Sequence, residues 1–300
     1  MSVVVSTISL MGEVSGVSGV FRGSEAVAEA ALTDYQLRRW YRRIFRDVYL
    51  PKPDDPSLDD RIRGAWLWSG RRGIIAGAAA SALHGARWVG ADAAIELVAK
   101  SARPQRGLIV RNETLGADEV TAVKRLPVTS VARTAFDLGR HLPRGQALAR
   151  LDALMHAAPF SCEDVSVLAK RYRGARGLRR LAEVLPLVDG GAASPKESWL
   201  RLLLIDAGLP KPTTQIPVND GWRAVGVLDM GWEDHMVALE YDGDQHRTDR
   251  RQYVKDIGRL DKFADLGWVV IRVVAEHRPD YILNRVFQAL VRRGYRRDRR

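Results

Sequence analysis

The residues best suited to chemistry are three carboxylates, Asp229, Glu240 and Asp242, in the runs Leu228-Asp229 and Glu240-Tyr241-Asp242-Gly243. If the two runs belong to neighbouring antiparallel strands with Asp229 opposite Glu240, the hairpin tip falls between Asp234 and His235. The polar turn Glu233-Asp234-His235 then sits where polar residues belong. Directly opposed residues have β-carbons about 4.5–5.5 Å apart, and Asp242, two residues beyond Glu240, shares its face. Val237, Leu239 and Tyr241 face the other way and can pack on helices. Like charges facing each other destabilise a sheet, so such a trio is comfortable when a cation neutralises it. A set of oxygen ligands suits Mg²⁺, Mn²⁺ or Ca²⁺. The alternative is a solvated strand face whose carboxylates pair with nearby arginines.

Two neighbours bear on that choice. Glu197 stands in the first turn of a predicted helix, where it either completes a metal site or simply stabilises the helix N-terminus. His246 follows Gly243-Asp244-Gln245, and is either a site residue or a surface or capping histidine.

The elements that must position these residues form an α-β-β-β-α-β-α series. Ser194 caps a helix with Pro195 in its first turn, its apolar positions Trp199, Leu200, Leu203 and Leu204 recur at helical spacing, and Gly208 closes it. Strands are predicted at Thr214–Val218, Ala224–Met230 and Met236–Asp242. A polar helix over Asp249–Leu266, a buried-type strand over Trp268–Val273 and a last helix over Pro279–Arg293 complete the order. The clearest boundary in the chain precedes them, at Gly190-Gly191-Ala192-Ala193-Ser194-Pro195.

Upstream, Ser24 can cap a short helix through Ala31 and Thr33 a second over Asp34–Arg42, which is helix-turn-helix spacing. Ile44–Leu50 reads as a single strand ended by Pro51 and Pro53. Helix, turn, helix and strand make the skeleton of a winged helix, with Arg38, Arg39, Arg42, Arg43 and Arg46 on its second helix and strand; otherwise these arginines are a solvated face. In the middle region Asp60–Gly70 and Ile74–His84 read as helices, Ile95–Ala99 and Leu108–Arg111 as strands. Helices follow at Val131–Gly139, Gln146–His156, Cys162–Tyr172 and Arg176–Leu187. The expected domains are 21–53, 56–189 and 194–300.

Composition narrows the class. The 300 residues are 46% hydrophobic and 28% charged, which excludes wholesale disorder, and the single cysteine, Cys162, excludes a disulfide framework or a Cys-rich zinc site. No apolar run reaches the ~18 residues of a membrane span. The mildly apolar start carries Glu13 and lacks a basic leader, so it reads as a loose leader in a cytoplasmic protein with no membrane partner. Lys and Arg number 47 against 36 Asp and Glu, a formal net charge of +11, which favours a polyanion as partner.

Ser194-Pro195-Lys196-Glu197 with Leu200, Leu228-Asp229, and Glu240 to His246, followed by Lys255-Asp256, Arg259, Gly267-Trp268, Val270 and Arg272, resemble the PD-(D/E)XK nuclease superfamily, and more narrowly its branch related to very-short-patch-repair endonucleases. The resemblance covers about a third of the chain. It implies a restriction-endonuclease-like core in which Asp229, Glu240 and the Tyr241 carbonyl hold Mg²⁺ or Mn²⁺ and Glu197 assists. In that picture the cation polarises a phosphate oxygen and lowers the pKa of bound water, His246 orients or deprotonates the water, and Arg247, Arg250 and Arg251 contact phosphates. One departure is plain: the superfamily's lysine is Asp242 here, with His246 or Lys255 as the substitute.

Phe21 to Pro53, Ala80-Ser81-Ala82-Leu83-His84-Gly85 and Leu126-Pro127-Val128-Thr129-Ser130-Val131-Ala132-Arg133-Thr134 resemble the abortive-infection type IV antitoxins, in which a winged helix binds promoter DNA. Two readings follow. In the leading one the protein is a metal-dependent DNA endonuclease, a mixed α/β chain with an N-terminal DNA-binding module. In the alternative it is a non-catalytic, antitoxin-like transcriptional regulator with a degenerate nuclease fold. Besides DNA, the implied partner is a toxin or a second copy of the chain.

Overall fold

The computed structural model describes residues 17–100, 105–242 and 250–296, with the side chains of 250–255 outside the description. The chain is mixed α/β and divides into two compact units: residues 1–141 with 160–181, and residues 142–159 with 182–300. This differs from the three segments expected from sequence. The hydrophobic pattern marks each element, but not which elements share a core.

The first unit opens with β1 (Phe21–Arg22), α1 (Gly23–Ala28), α2 (Asp34–Trp40), β2 (Tyr41–Phe45) and β3 (Val48–Pro51). Thr33 caps α2 in a reciprocal box with Gln36, as the sequence suggests, while α1 ends three residues early, with Ala30 in the left-handed region. The single strand expected over Ile44–Leu50 instead spans the tip of an antiparallel hairpin, from the end of β2 through the turn into β3, in a sheet ordered β1-β3-β2. Its turn is set by Asp47, which adopts a positive φ of 60° and uses its carboxylate to accept from the Ser24 backbone N–H (2.8 Å) and hydroxyl (2.6 Å). Asp tolerates this conformation better than most residues, and its capping bonds offset the cost.

The unit continues with α3 (Leu58–Trp68), β4 (Ile74–Ala76), α4 (Gly77–Leu83), β5 (Ile95–Val98), β6 (Leu108–Arg111), β7 (Val120–Val123), β8 (Leu126–Thr129) and α5 (Val131–His141). The helix expected from Ile74 begins as a strand, and β7 and β8 are strands beyond those the sequence pattern marks. Ile74–Ala76 is drawn into a five-stranded sheet ordered β6-β5-β4-β8-β7, between β5 and β8. Gly77, at φ +57°, redirects the chain into α4, and the space a β-carbon would fill is taken by the Glu96 carboxylate at 3.0–3.2 Å. The two sheets of this unit share one core: Phe45 and Val48 pack with Ile62, Ile75, Ile95, Leu97 and Val128.

The chain gives α6 (Arg144–Ala157) to the second unit and returns with α7 (Cys162–Arg171); α8 (Leu178–Val184) then leads out of the first unit. On α5, Arg133 is 1% exposed and its guanidinium is fully engaged. Nε donates to Asp137 (2.9 Å), and the two terminal nitrogens donate to Glu119 and Glu113.

In the second unit α9 (Pro195–Asp206) is followed by β9 (Thr213–Asp220), β10 (Arg223–Trp232), β11 (Val237–Tyr241), α10 (Arg250–Asp265), β12 (Val269–Val273) and α11 (Pro279–Arg292), in the expected order. The sheet runs β12-β11-β10-β9, with β11 and β12 parallel and the other pairs antiparallel. Leu200, Leu204, Met230, Val237, Leu239, Ile271 and Val286 form one core, and Ile216, Leu228, Ala238, Phe263 and Trp268 a second. The expected boundary at Gly190 lies inside this unit. Buried Asp152 of α6 accepts from Asp189 N–H (2.8 Å), Ser198 Oγ (2.6 Å) and Arg201 Nη2 (2.7 Å), which ties α6 and the Gly190 loop to α9.

Two glycines of one loop test the packing of the first unit. Gly177 has φ +86°, and a β-carbon there would stand 2.1 Å from the Arg140 carbonyl oxygen at the end of α5, whereas one on Gly174 would meet nothing within 4 Å. Gly177→Ala is expected to cost well over about 1 kcal/mol, and Gly174→Ala to stay within about 0.5 kcal/mol of wild type. Chemical denaturation of both variants measures this; equal midpoints would contradict the assigned loop conformation.

Candidate functional site

The hairpin of β10 and β11 has the register that the carboxylate argument requires. Met230 faces Leu239, Gly231 faces Ala238 and Trp232 faces Val237, so one further step puts Asp229 opposite Glu240. The turn is a single helical turn over Glu233–His235, closed by Met236 in the left-handed region. Gly231 is needed here, because a β-carbon would lie 2.4 Å from the Val237 carbonyl oxygen. Asp229 bonds across the hairpin by accepting the Tyr241 backbone N–H at 2.8 Å.

Asp229, Glu240, Tyr241 and Asp242 line one cavity of about 250 Å³ with Asp256, Arg259 and Leu260 of α10 and Arg272 of β12. Arg272 reaches it because β12 pairs with β11 so that Arg272 stands beside Glu240. Glu240 is 8% exposed. Both its oxygens lie 3.4 Å from Arg259 Nη2, but only Oε2 is placed to accept a hydrogen bond; among the described residues buried Oε1 meets no donor and Arg259 Nε no acceptor. Asp242 is ion-paired with Arg272. Glu197 serves its own helix first: Oε2 accepts from Ala193 N–H and Oε1 from Ser194 Oγ, both at 2.9 Å, while Ser194 Oγ accepts from Glu197 N–H.

Burial sets the electrostatics. It pushes the carboxyl of Asp229 up against the opposing Tyr241 N–H bond and Arg259 charge. Burial also raises Glu240, with Arg259 opposing and Asp229 adding to the rise. Glu197 is raised by burial and then by the charge of Asp229, which couples it to the hairpin pair. Asp229 and Glu240 thus stay raised although Arg259 opposes both and Arg272 opposes Glu240.

His246 and Arg247 lie outside the described residues; Arg250, Arg251 and Lys255 fall on α10 with their side chains outside the description. Arg259 and Arg272, to which the resemblance gives no role, also line the site. The signal was present in the spacing of Asp256 and Arg259, one helical turn apart on a polar face, and in the arginine inside the otherwise apolar β12. Oxygen donors of this kind suit a hard dication, and Glu240 Oε1 still lacks a donor. Among the described residues, however, no three His, Cys, Asp or Glu side chains are grouped as metal ligands.

In the first unit, Arg38 and Arg39 of α2 and Arg42, Arg43 and Arg46 of the following hairpin are all exposed. Among the described residues, only Arg42 of the five is ion-paired, at 2.6 Å to Asp55.

Two comparisons bear on identity. Residues 71–187, from before β4 to just past α8, match the model of the AbiEi antitoxin C-terminal domain. Uncharacterized protein MT2308 of Mycobacterium tuberculosis strain CDC 1551 / Oshkosh is 30% identical over 236 residues, covering 78% of this chain and 85% of the relative. Uncharacterized protein Rv2248 of strain H37Rv matches to the same extent. The chain belongs to one family with these two mycobacterial proteins. The span that matches the antitoxin model holds the Ala80–Gly85 and Leu126–Thr134 motifs and the Arg133 network, and it leaves the arginines of residues 38–46 outside. Among the described residues, no helix is long and apolar enough to cross a membrane.

The raised carboxyls make a prediction about pH in metal-free buffer. Between the ordinary carboxylate value, about 4, and their raised folded values, the folded chain holds protons that the unfolded chain has released. Their contribution to stability is therefore present in mild acid and lost as pH rises through that window. Glu240→Gln removes one such group, so its melting temperature relative to wild type is expected to climb from pH 4 to pH 8. A difference that stays constant with pH would mean Glu240 is solvated and the cavity is misassigned.

Proposed function

We propose that the protein is an antitoxin-like, DNA-binding regulator whose N-terminal helix-turn-helix and hairpin act as a winged helix on duplex DNA. The observation that carries this reading is the single core joining Phe45 and Val48 of the hairpin to the sheet of the antitoxin-like span. A DNA-reading module and an antitoxin domain packed as one body suit a protein that senses a toxin partner and acts on DNA. The exposed arginines support it: Arg38, Arg39, Arg43 and Arg46 spend no charge on carboxylates, and phosphate neutralisation is what supplies most of the affinity of such a surface.

In duplex-binding measurements over a salt series, log K is expected to fall linearly with log salt, by about 0.9 per phosphate neutralised. Replacing Arg38, Arg39 and Arg43 together with alanine should flatten the slope by two to three units, about 0.9 each. Arg42→Ala should change it less, because Asp55 already claims that charge. A slope indifferent to the triple replacement would reduce these arginines to a solvated face.

A second reading, a metal-dependent DNA endonuclease, is favoured by one observation: the buried, donorless Oε1 of Glu240 beside Asp229. In it, Asp229, Glu240 and the Tyr241 carbonyl would hold Mg²⁺ or Mn²⁺, which when bound polarises a phosphate oxygen and activates water. Glu197 supports the pair from the start of α9 and Arg272 holds Asp242 aside. Wild-type protein incubated with supercoiled plasmid over a Mg²⁺ and Mn²⁺ series decides it. Metal-dependent nicking that Glu240→Gln abolishes while duplex binding persists supports the enzyme; an uncut plasmid at every metal concentration leaves the regulator alone.

A further inference from the structure

Between the strand β2 and the turn that opens β6 lies a cavity of about 470 Å³, lined by Arg43, Ile44, Phe45 and Arg46 on one side and Gln105 and Arg106 on the other. Its polar side chains are all donors at their free ends. Among the described residues, Arg43, Arg46 and Arg106 meet no carboxylate. Gln105 accepts the Arg46 backbone N–H on Oε1 at 3.3 Å, which fixes which end of the amide is oxygen, and its buried Nε2 meets no acceptor among the described residues. Buried donors are nearly always satisfied, so this one marks a missing acceptor.

The lining is built rather than incidental. Leu108 N–H donates to the Gln105 carbonyl at 3.0 Å, closing a turn whose Gly107 has φ +85° and leaves a β-carbon site only 3.6 Å from Phe45 and 3.4 Å from Arg61. Phe45 and Leu108 on either side of that turn are buried in the same core. The turn and the hairpin are therefore held together by packing, with three guanidiniums that cannot discharge by losing a proton gathered around the space between them. Convergent like charges with an unsatisfied amide donor among them describe a receptor for an anion with several acceptor oxygens.

We propose that this cavity binds a phosphate group, supplied by the backbone of a nucleic acid lying along the hairpin, with Gln105 and Arg106 as contacts contributed by the antitoxin-like span. The proposal rests on the DNA-binding reading for its source of phosphate, but the pocket chemistry is independent of it. Guanidinium and amide donors are the groups that fix a protein's register on a duplex. A pocket that uses both constrains where the hairpin sits along the strand.

The test uses the full chain with two probes, inorganic phosphate and a short DNA duplex. Phosphate should shift the side-chain N–H resonances of Gln105 and Arg106. Gln105→Leu, which changes no charge, should weaken both phosphate and duplex binding about tenfold, the worth of a hydrogen bond to a charged group. Arg106→Ala should flatten the duplex salt slope by about 0.9. Arg63→Ala, an equally exposed arginine of α3 outside the cavity, should leave phosphate binding unchanged. Unfolding midpoints equal to wild type show that the variants are folded. If phosphate leaves Gln105 and Arg106 unmoved, or if Gln105→Leu binds both probes like wild type, the pocket is overturned even where replacement of Arg38 and Arg39 still weakens duplex binding. If phosphate binds and Gln105→Leu abolishes it while no duplex is bound, the pocket stands, its phosphate is free rather than nucleic, and the DNA reading falls.

Discussion

The first unit depends on one buried guanidinium. Moving an arginine out of water costs several kcal/mol unless every donor is met, and Arg133 meets this demand with carboxylates from three places: Glu113 after β6, Glu119 before β7, and Asp137 one turn along α5. The planar fork accepts this arrangement only when those elements stand in fixed relation. The carboxylates are in turn shared. Arg140 bonds Glu113 and Asp137, while Arg171 and the Tyr172 hydroxyl both reach Glu119 at 2.7 Å. Removing Arg133 would strand buried negative charge, which is why breaking such a pair costs far more than the pair itself contributes. The network specifies how β6, β7, α5 and α7 come together, a job that the short apolar faces of four-residue strands do poorly.

Buried carboxylates end on opposite sides of their ordinary values according to the donors they meet. Glu96 is pushed up by burial, yet the nearby His141 ring, its Nδ1 3.5 Å away, and two hydrogen bonds from Arg111 outweigh this and bring it down to about 2. Glu113 and Glu119 also end below their ordinary values despite burial, held by Arg140, Tyr172 and Arg133. Their contribution is full above the usual carboxylate range and is lost as pH falls through their lowered values. In the second unit Glu197, Asp229 and Glu240 end above theirs, because desolvation outweighs the hydrogen bonds and positive charges that oppose it. Acid therefore removes the contribution of Glu96, Glu113 and Glu119, whereas Asp137 in the same unit, raised by burial, and the three carboxyls of the second unit contribute with the opposite sign.

Much of this was legible in the sequence where a local rule fixed the outcome. The cap of α9 followed from Ser194 and Pro195, and the hairpin register followed from the symmetric spacing of Asp229 and Glu240 about a polar turn. Failures came where distant partners decide. Ile74–Ala76 has the composition of a helix start and becomes a strand because β5 and β8 flank it. Ile44–Leu50 reads as one strand, but Asp47 turns it to reach Ser24, 23 positions away. The Gly190 run has every mark of a linker, and its role is decided by a buried aspartate on α6. Arg259 enters the carboxylate cavity from a helix whose periodicity says only that it has a polar face.

The two sets of uncompensated charge differ in how the chain can live with them. A buried carboxylate has an exit of its own: it can hold a proton, and the raised values of Asp229 and Glu240 record that option. Such a cluster can persist in a folded protein without a cation, so its existence argues only weakly for one. An arginine has no comparable exit, since it stays charged at any pH at which the protein folds. Arg43, Arg46 and Arg106 stay near water, where holding them costs little, but among the described residues no carboxylate answers them and the amide beside them meets no acceptor. A group that cannot neutralise itself and has no internal partner is matched from outside, and with a net charge of +11 the chain is predisposed to polyanions. The arginine-lined side of the first unit is accordingly the stronger indicator of function, and it favours a regulator that reads nucleic acid over an enzyme that cuts it.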